Sequence, residues 1–224
     1  MLKNINLKQA TATSLLITLM LSFGYGLAEP AFLQAIEDQF TVKQTITAEI
    51  TFATPANDVV MNGSIAGITG GTSYGTSTSV VTTNNNTGFT MTLAASSSPA
   101  MVGDAFAGTI ADYTPATTGI PDFTFSVPAG AEFGFSVSAS TTANLAQKFK
   151  DNGTNTCNTG SADTSAGSCW MGLSTVATST IVTSAATSAS GATSSIYFST
   201  FLNSGGLTIE DTYTATMTQT AIIN

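Results

Sequence analysis

Between residues 42 and 52, apolar Val42, Ile46, Ala48, Ile50 and Phe52 alternate with Lys43, Thr45, Thr47, Glu49 and Thr51. A side-chain period of two belongs to an extended strand with one buried face. The same period returns at 89–95, where Phe89, Met91, Leu93 and Ala95 are separated by threonines, and near the end at Tyr213, Ala215 and Met217. Phe123, Phe125 and Val127, then Phe133, Phe135 and Val137, repeat it on either side of Pro128-Ala129-Gly130. That turn chemistry predicts a hairpin. Within the Ala/Thr/Ser run 174–195, Thr180-Ile181-Val182-Thr183 marks an edge strand in what otherwise reads as a low-complexity loop. Gly70-Gly71, Asn84-Asn85-Asn86 with Gly88, Gly119 to Pro121 and Ser204-Gly205-Gly206 supply turns between the runs. The only helical signal in the body is a turn or two at 145–150. The pattern predicts an all-β fold: an antiparallel Ig-like or Greek-key β-sandwich with long Ser/Thr/Gly-rich loops. One domain, residues 41–224, is expected behind a leader segment, 29–40.

The first 28 residues have a different character. Lys3 and Lys8 precede a compact apolar core at 15–21, and Gly26-Leu27-Ala28 offers small residues before Glu29. This is the layout of a secretory signal peptide with its cleavage site. An uncleaved anchor is the alternative, since no charge falls between Lys8 and Glu29. Either way the lysines stay inside and the body lies outside. After signal cleavage no membrane span is expected.

Composition sharpens the picture. Charged residues are 8% of the chain, against about 25% in a typical soluble domain, and Thr, Ser, Asn and Gly stand in their place. Thr suits a half-exposed strand and Gly and Asn suit turns, so the shift favours β structure. All thirteen acids lie at or after Glu29, where only Lys43, Lys148 and Lys150 oppose them, leaving the body at −10. Such a body repels phosphate backbones, so nucleic acid is not an expected partner.

Cys157 and Cys169 are the only cysteines, and an even count in an exported chain favours a disulfide closing the Gly/Asn/Ser/Thr-rich loop between them. Catalytic equipment is sparse. The chain has no His, which removes the commonest general base and metal ligand and any Ser-His-Asp or Cys-His arrangement. No Gly-x-Ser-x-Gly, Ser-x-x-Lys or phosphate-binding Gly-Lys-Ser/Thr motif occurs. Asp104, Asp112, Asp122 and Glu132 leave open a paired-carboxylate glycosidase, or oxygen ligands for Ca²⁺ without the Asp-x-Asp-x-Asp spacing. The chemistry of isolated solvated carboxylates is the plainer reading. No catalytic residue, cofactor or metal is therefore expected. Trp170, directly after Cys169, is either a ring packed over the disulfide or an exposed sugar-stacking platform.

Two stretches carry a resemblance. Val81 to Leu93, with its polar Asn84-Asn85-Asn86 turn, Gly88, Phe89 and alternating strand, resembles bacterial surface β-sandwiches related to WxL domains. Tyr213 to Thr218 resembles the last strand of such Ig-like modules, and the stretch from Phe149 through Cys157 to Trp170 is similar to secreted surface proteins of candidate-phylum bacteria. The Trp-x-Leu signature itself is absent, Trp170 being followed by Met171-Gly172, so peptidoglycan binding does not carry over. The resemblance implies a surface architecture and no activity.

Two functions follow as expectations. The first is a non-catalytic structural or adhesive protein, extracellular or on the cell surface, whose partner is an envelope component or another copy of itself. The second is a carbohydrate-binding module that would present Tyr74, Tyr113, Trp170 and Tyr197 to a glycan.

Overall fold

The computed structural model describes residues 37–162, 165–173 and 179–224. The signal segment 1–28 and most of the leader 29–40 lie outside the described residues. The chain divides into two compact units, Met1–Thr45 and Ile46–Asn224. Of the first, residues 37–45 are exposed and carry no regular structure.

The described residues form ten strands: β1 (Ile50–Thr54), β2 (Gly71–Thr83), β3 (Phe89–Ala95), β4 (Met101–Gly103), β5 (Thr109–Asp112), β6 (Ala131–Ala139), β7 (Ser179–Ser184), β8 (Ala192–Leu202), β9 (Tyr213–Thr214) and β10 (Met217–Ile223). They form a seven-stranded sheet in the order β1-β2-β8-β6-β5-β4-β9 and a three-stranded sheet in the order β10-β3-β7. The fold is all-β with two sheets, as the period-two pattern predicts. No helix among the described residues is long and apolar enough to cross a membrane.

Alternation sets the core. In β3, Phe89, Met91, Leu93 and Ala95 are buried while Thr90, Thr92 and Ala94 are half-buried. They join Phe133, Phe135 and Val137 of β6, Ile196 and Phe198 of β8, and Ile181 of β7 in one apolar cluster. Antiparallel register places Phe135 opposite Phe198 and Val137 opposite Ile196, so these side chains share a face. The Phe133 and Phe198 rings stack with centroids 5.9 Å apart.

Several local expectations change in the fold. The strand pattern of 42–52 is realised only from Ile50, which pairs with Thr83. Before it, Val42 and Ile46 are each 82% exposed. The predicted hairpin at Pro128 does not form. Asp122 pairs instead with Trp170, and Phe135 with Met171, so the segment after the second cysteine lies between the two expected strands. Gly134 shows how closely that segment approaches, since a Cβ there would stand 3.0 Å from the Met171 carbonyl oxygen and 2.9 Å from Phe125 and Tyr113 atoms. The sheets are not wholly antiparallel either: β5 runs parallel to β6, which its long connection through 113–130 permits. The terminal strand is divided, Tyr213–Thr214 pairing with β4 in the large sheet and Met217–Ile223 with β3 in the small one. Thr180–Thr183 lies in β7, an edge strand as expected. The helical signal at 145–150 becomes two single 3-10 turns, Thr142–Asn144 and Gln147–Phe149.

β2 left little apolar alternation to find, and in β8 it is confined to Ile196, Phe198 and Leu202. The inward positions of β2 include Ser73, Gly75, Ser77 and Ser79, because residues 57–62 lie directly over them. The Ser73 hydroxyl donates to the Asn62 carbonyl (2.9 Å), the Ser77 hydroxyl to that of Asn57 (3.0 Å), and Ser79 pairs with Ser194 (3.2 Å). Buried hydroxyls with such partners replace apolar packing at small cost.

Phe135→Ala removes a fully buried ring at the centre of the large sheet and is expected to lower unfolding free energy by about 3–5 kcal/mol. Urea denaturation followed by circular dichroism measures it, and a loss below about 1 kcal/mol contradicts the placement of this core.

Candidate functional site

Cys157 and Cys169 form the expected disulfide, with Cα atoms 5.6 Å apart. Both are buried in the main cluster. Cys169 has φ 65°, in the left-handed region, and the chain turns there so that the next residue feeds a different cluster. Trp170 is 5% exposed. Its ring meets Phe125 edge-on at 5.3 Å, and Phe125 in turn packs on Tyr113 at 4.5 Å. With Val127, Tyr197 and Phe201, these rings cover the outer side of the β6–β8 ladder. The exposed sugar-stacking reading of Trp170 is corrected by this burial, and the ring lies in a cluster separate from the one holding the disulfide. Of the four aromatics that a glycan face needs, Tyr113 is also buried, Tyr197 is half-buried, and only Tyr74 is exposed.

The four carboxylates hold loops. Asp112 accepts from the Ala100 amide (2.9 Å) and the Ser98 hydroxyl (2.7 Å). Asp122 accepts from the Tyr113 hydroxyl (2.8 Å) and the Ala116 amide (2.9 Å). Glu132 accepts from the Thr114 amide at 3.3 Å, and burial raises its pKa. Burial also raises the Tyr113 phenol strongly, its hydrogen bond to Asp122 adding to the effect. Asp104 accepts from the Thr214 hydroxyl at 3.3 Å. Among the described residues, no group of three or more Cys, Asp or Glu side chains is arranged to hold a metal ion.

The feature that sequence reasoning missed is a cavity of about 770 Å³ at the end of the large sheet where β2 begins. Its floor is the inner face of that sheet: Ser73, Met101, Ile110, Ala131, Thr200 and Leu202. Its walls are the loops 61–68 and 207–213, tied together by the Thr208 amide donating to Gly67 and the Gly205 amide donating to Ile68. No residue of the three-stranded sheet lines it. Ile68, Leu207 and Ile209 stand at its rim, 71%, 83% and 57% exposed. Their signal in the sequence is the alternation Leu207-Thr208-Ile209, which follows Gly205-Gly206 and is easily absorbed into the turn.

Asp211 organises the rim. Its carboxylate accepts from the amides of Phe106 (2.9 Å), Ala105 (3.1 Å) and Thr212 (2.8 Å), fastening the 105–106 turn to the 211–212 segment. These donors, Phe106 foremost, hold its pKa below the ordinary 3.8.

No family model matches the chain, and neither a curated protein nor a solved structure matches it.

Trp170 is the chain's only tryptophan, so its fluorescence reports this packing alone. Native emission is expected to resist acrylamide until the protein unfolds, and Trp170→Ala to cost about 3–5 kcal/mol. Ready quenching of the native protein contradicts the burial. For Asp211 the folded state binds the proton less tightly than the unfolded chain, so its stabilising contribution is present above pH 3.8 and is lost as pH falls through the lowered value. The amide resonances of Ala105 and Phe106 are expected to follow one titration with a midpoint below 3.8, and Asp211→Asn to abolish it.

Proposed function

We propose that the chain is a non-catalytic structural or adhesive protein of the extracellular space or cell surface, working by association with other copies or with an envelope component. One observation carries this reading. Among the described residues the edge strands β1 and β9 of the large sheet and β10 of the small one contain no charged residue and no proline; β7, the other edge, lacks them too but is bridged on its outer side by Leu145 and Ala146. Monomeric β-proteins ordinarily protect their edges with such residues, because an unpaired strand edge is a template for another chain. β10 is the longest of the four, Met-Thr-Gln-Thr-Ala-Ile-Ile, with Ile222 and Ile223 at 57% and 43% exposure.

The disulfide supports an oxidising compartment, which agrees with export directed by residues 1–28. The finer architectural reading is an elaborated Ig-like sandwich. It is supported by the passage of the chain between sheets at 84–88 and again at 215–216, in the manner of a Greek key. A glycan-binding role finds less support, because Trp170 and Tyr113 spend their faces on Phe125.

The processed protein is expected to gain mass with concentration in multi-angle light scattering. Lysines introduced at exposed Thr218 and Thr220 of β10 are expected to weaken that association by about tenfold or more through edge protection. A constant monomer mass at every concentration overturns the reading.

A further inference from the structure

The stretch 40–49 presents a strand pattern that its own fold leaves unused. Phe40, Val42 and Ile46 fall at even positions with Ala48, and the three large ones are 84%, 82% and 82% exposed. Thr41, Lys43, Thr45 and Thr47 occupy the odd positions. Large apolar side chains at this spacing, bare along a segment without regular structure, are what a groove-binding strand presents.

The cavity at the β2 start is the complementary feature: apolar, open, floored by strand residues, and rimmed by exposed Ile68, Leu207 and Ile209. At about 770 Å³ it lies within the usual size range of ligand sites, about 300–1,000 Å³. Charge agrees as well. Glu210 and Asp211 line the groove, and Lys43 is the charge carried by the stretch 40–48.

The chain cannot fill its own groove with this segment. Thr47 and Glu49 are fastened to Asn84, through the Asn84 amide donating to the Thr47 carbonyl (2.9 Å) and the Glu49 amide donating to the Asn84 side chain (2.7 Å). Asn84 follows the last residue of β2, whereas the groove begins at Ser73, ten residues back along that strand or roughly 33 Å at ~3.3 Å per residue. From Thr47 back to Phe40 the fully extended chain reaches only about 24 Å. Ile46, one residue from the anchor, reaches almost none of it.

We propose that residues 40–48 of one copy insert as a donor strand into the β2-end groove of the next, seating Phe40, Val42 and Ile46 against Met101, Ile110 and Leu202. The anchor at Thr47 and Glu49 lies beside the end of β2, and the groove opens at its start. The contact is therefore head-to-tail and need not close, and it generates an open filament rather than a dimer. This deepens the association reading and rests on it.

The test uses two full-length variants, each with one added cysteine, the native pair being engaged in the disulfide. One carries Gln44→Cys in the donor segment, leaving its apolar positions intact, and the other carries Leu207→Cys at the rim. Mixed under mild oxidation, they are expected to form a disulfide-linked heterodimer at least tenfold faster than Gln44→Cys mixed with a Thr90→Cys control on the outer face of β3. A synthetic peptide of residues 38–49 is expected to suppress the link, and the same peptide with Ser at positions 40, 42 and 46 to leave it unchanged. Equal linking to both acceptors, or suppression by the serine peptide, overturns the donor-strand contact. If light scattering shows association while the Gln44–Leu207 link fails to form, the donor strand is refuted and the association reading stands. If the wild type never associates, both fall.

Discussion

The β6–β8 ladder is the interaction on which the other parts depend. Of its nine residue pairs, from Ala131↔Leu202 to Ala139↔Ser194, those at Phe133–Val137 are covered on both sides. Phe133, Phe135, Val137, Ile196 and Phe198 enter the main core with β3 and β7. The opposite side meets Tyr113, Phe125, Val127 and Trp170. A ladder buried on both faces must have its backbone groups paired and its side chains fitted closely, since neither water nor empty space can compensate. The Gly134 contacts show that requirement at a single residue.

From this centre outward, cover thins. The disulfide holds the 157–169 loop against the core, and Met171 then continues along β6 where β5 has diverged. On β2, hydroxyl side chains under residues 57–62 replace apolar contacts. At the β2 start no residue of the small sheet lines the inner face of the large one, which meets two loops and a cavity. A three-stranded layer cannot cover a seven-stranded one. The apolar groove is the geometric remainder.

In a chain with so few charges, the carboxylates act mainly as acceptors for loop amides. Asp112, Asp122 and Asp211 each gather donors from segments that no strand pairing would otherwise hold. Such charge-assisted bonds are stronger than neutral ones. Asp104, Asp112, Asp122 and Glu132, the acids the sequence left open for chemistry, accept hydrogen bonds that fix loops, and Asp211 does the same at the groove rim.

Alternation is a local property, and what depends on it was legible directly. The all-β class, the buried face of β3, the edge strand at 179–184 and the Cys157–Cys169 pair all follow from spacing and residue type within a short stretch. Pairing is not local. Phe123–Val127 and Phe133–Val137 look like hairpin partners, yet the segment after Cys169 competes for the same backbone groups and takes them, because the disulfide and Trp170 bring it there. β2 hides behind Ser, Thr and Gly, since its inner face meets a covering loop rather than side chains of a second sheet. The groove has no sequence signature, for it arises only from the unequal widths of two packed layers. The same holds for the exposure of Phe40, Val42 and Ile46: their pattern announces a strand, and only the tertiary structure shows these side chains bare.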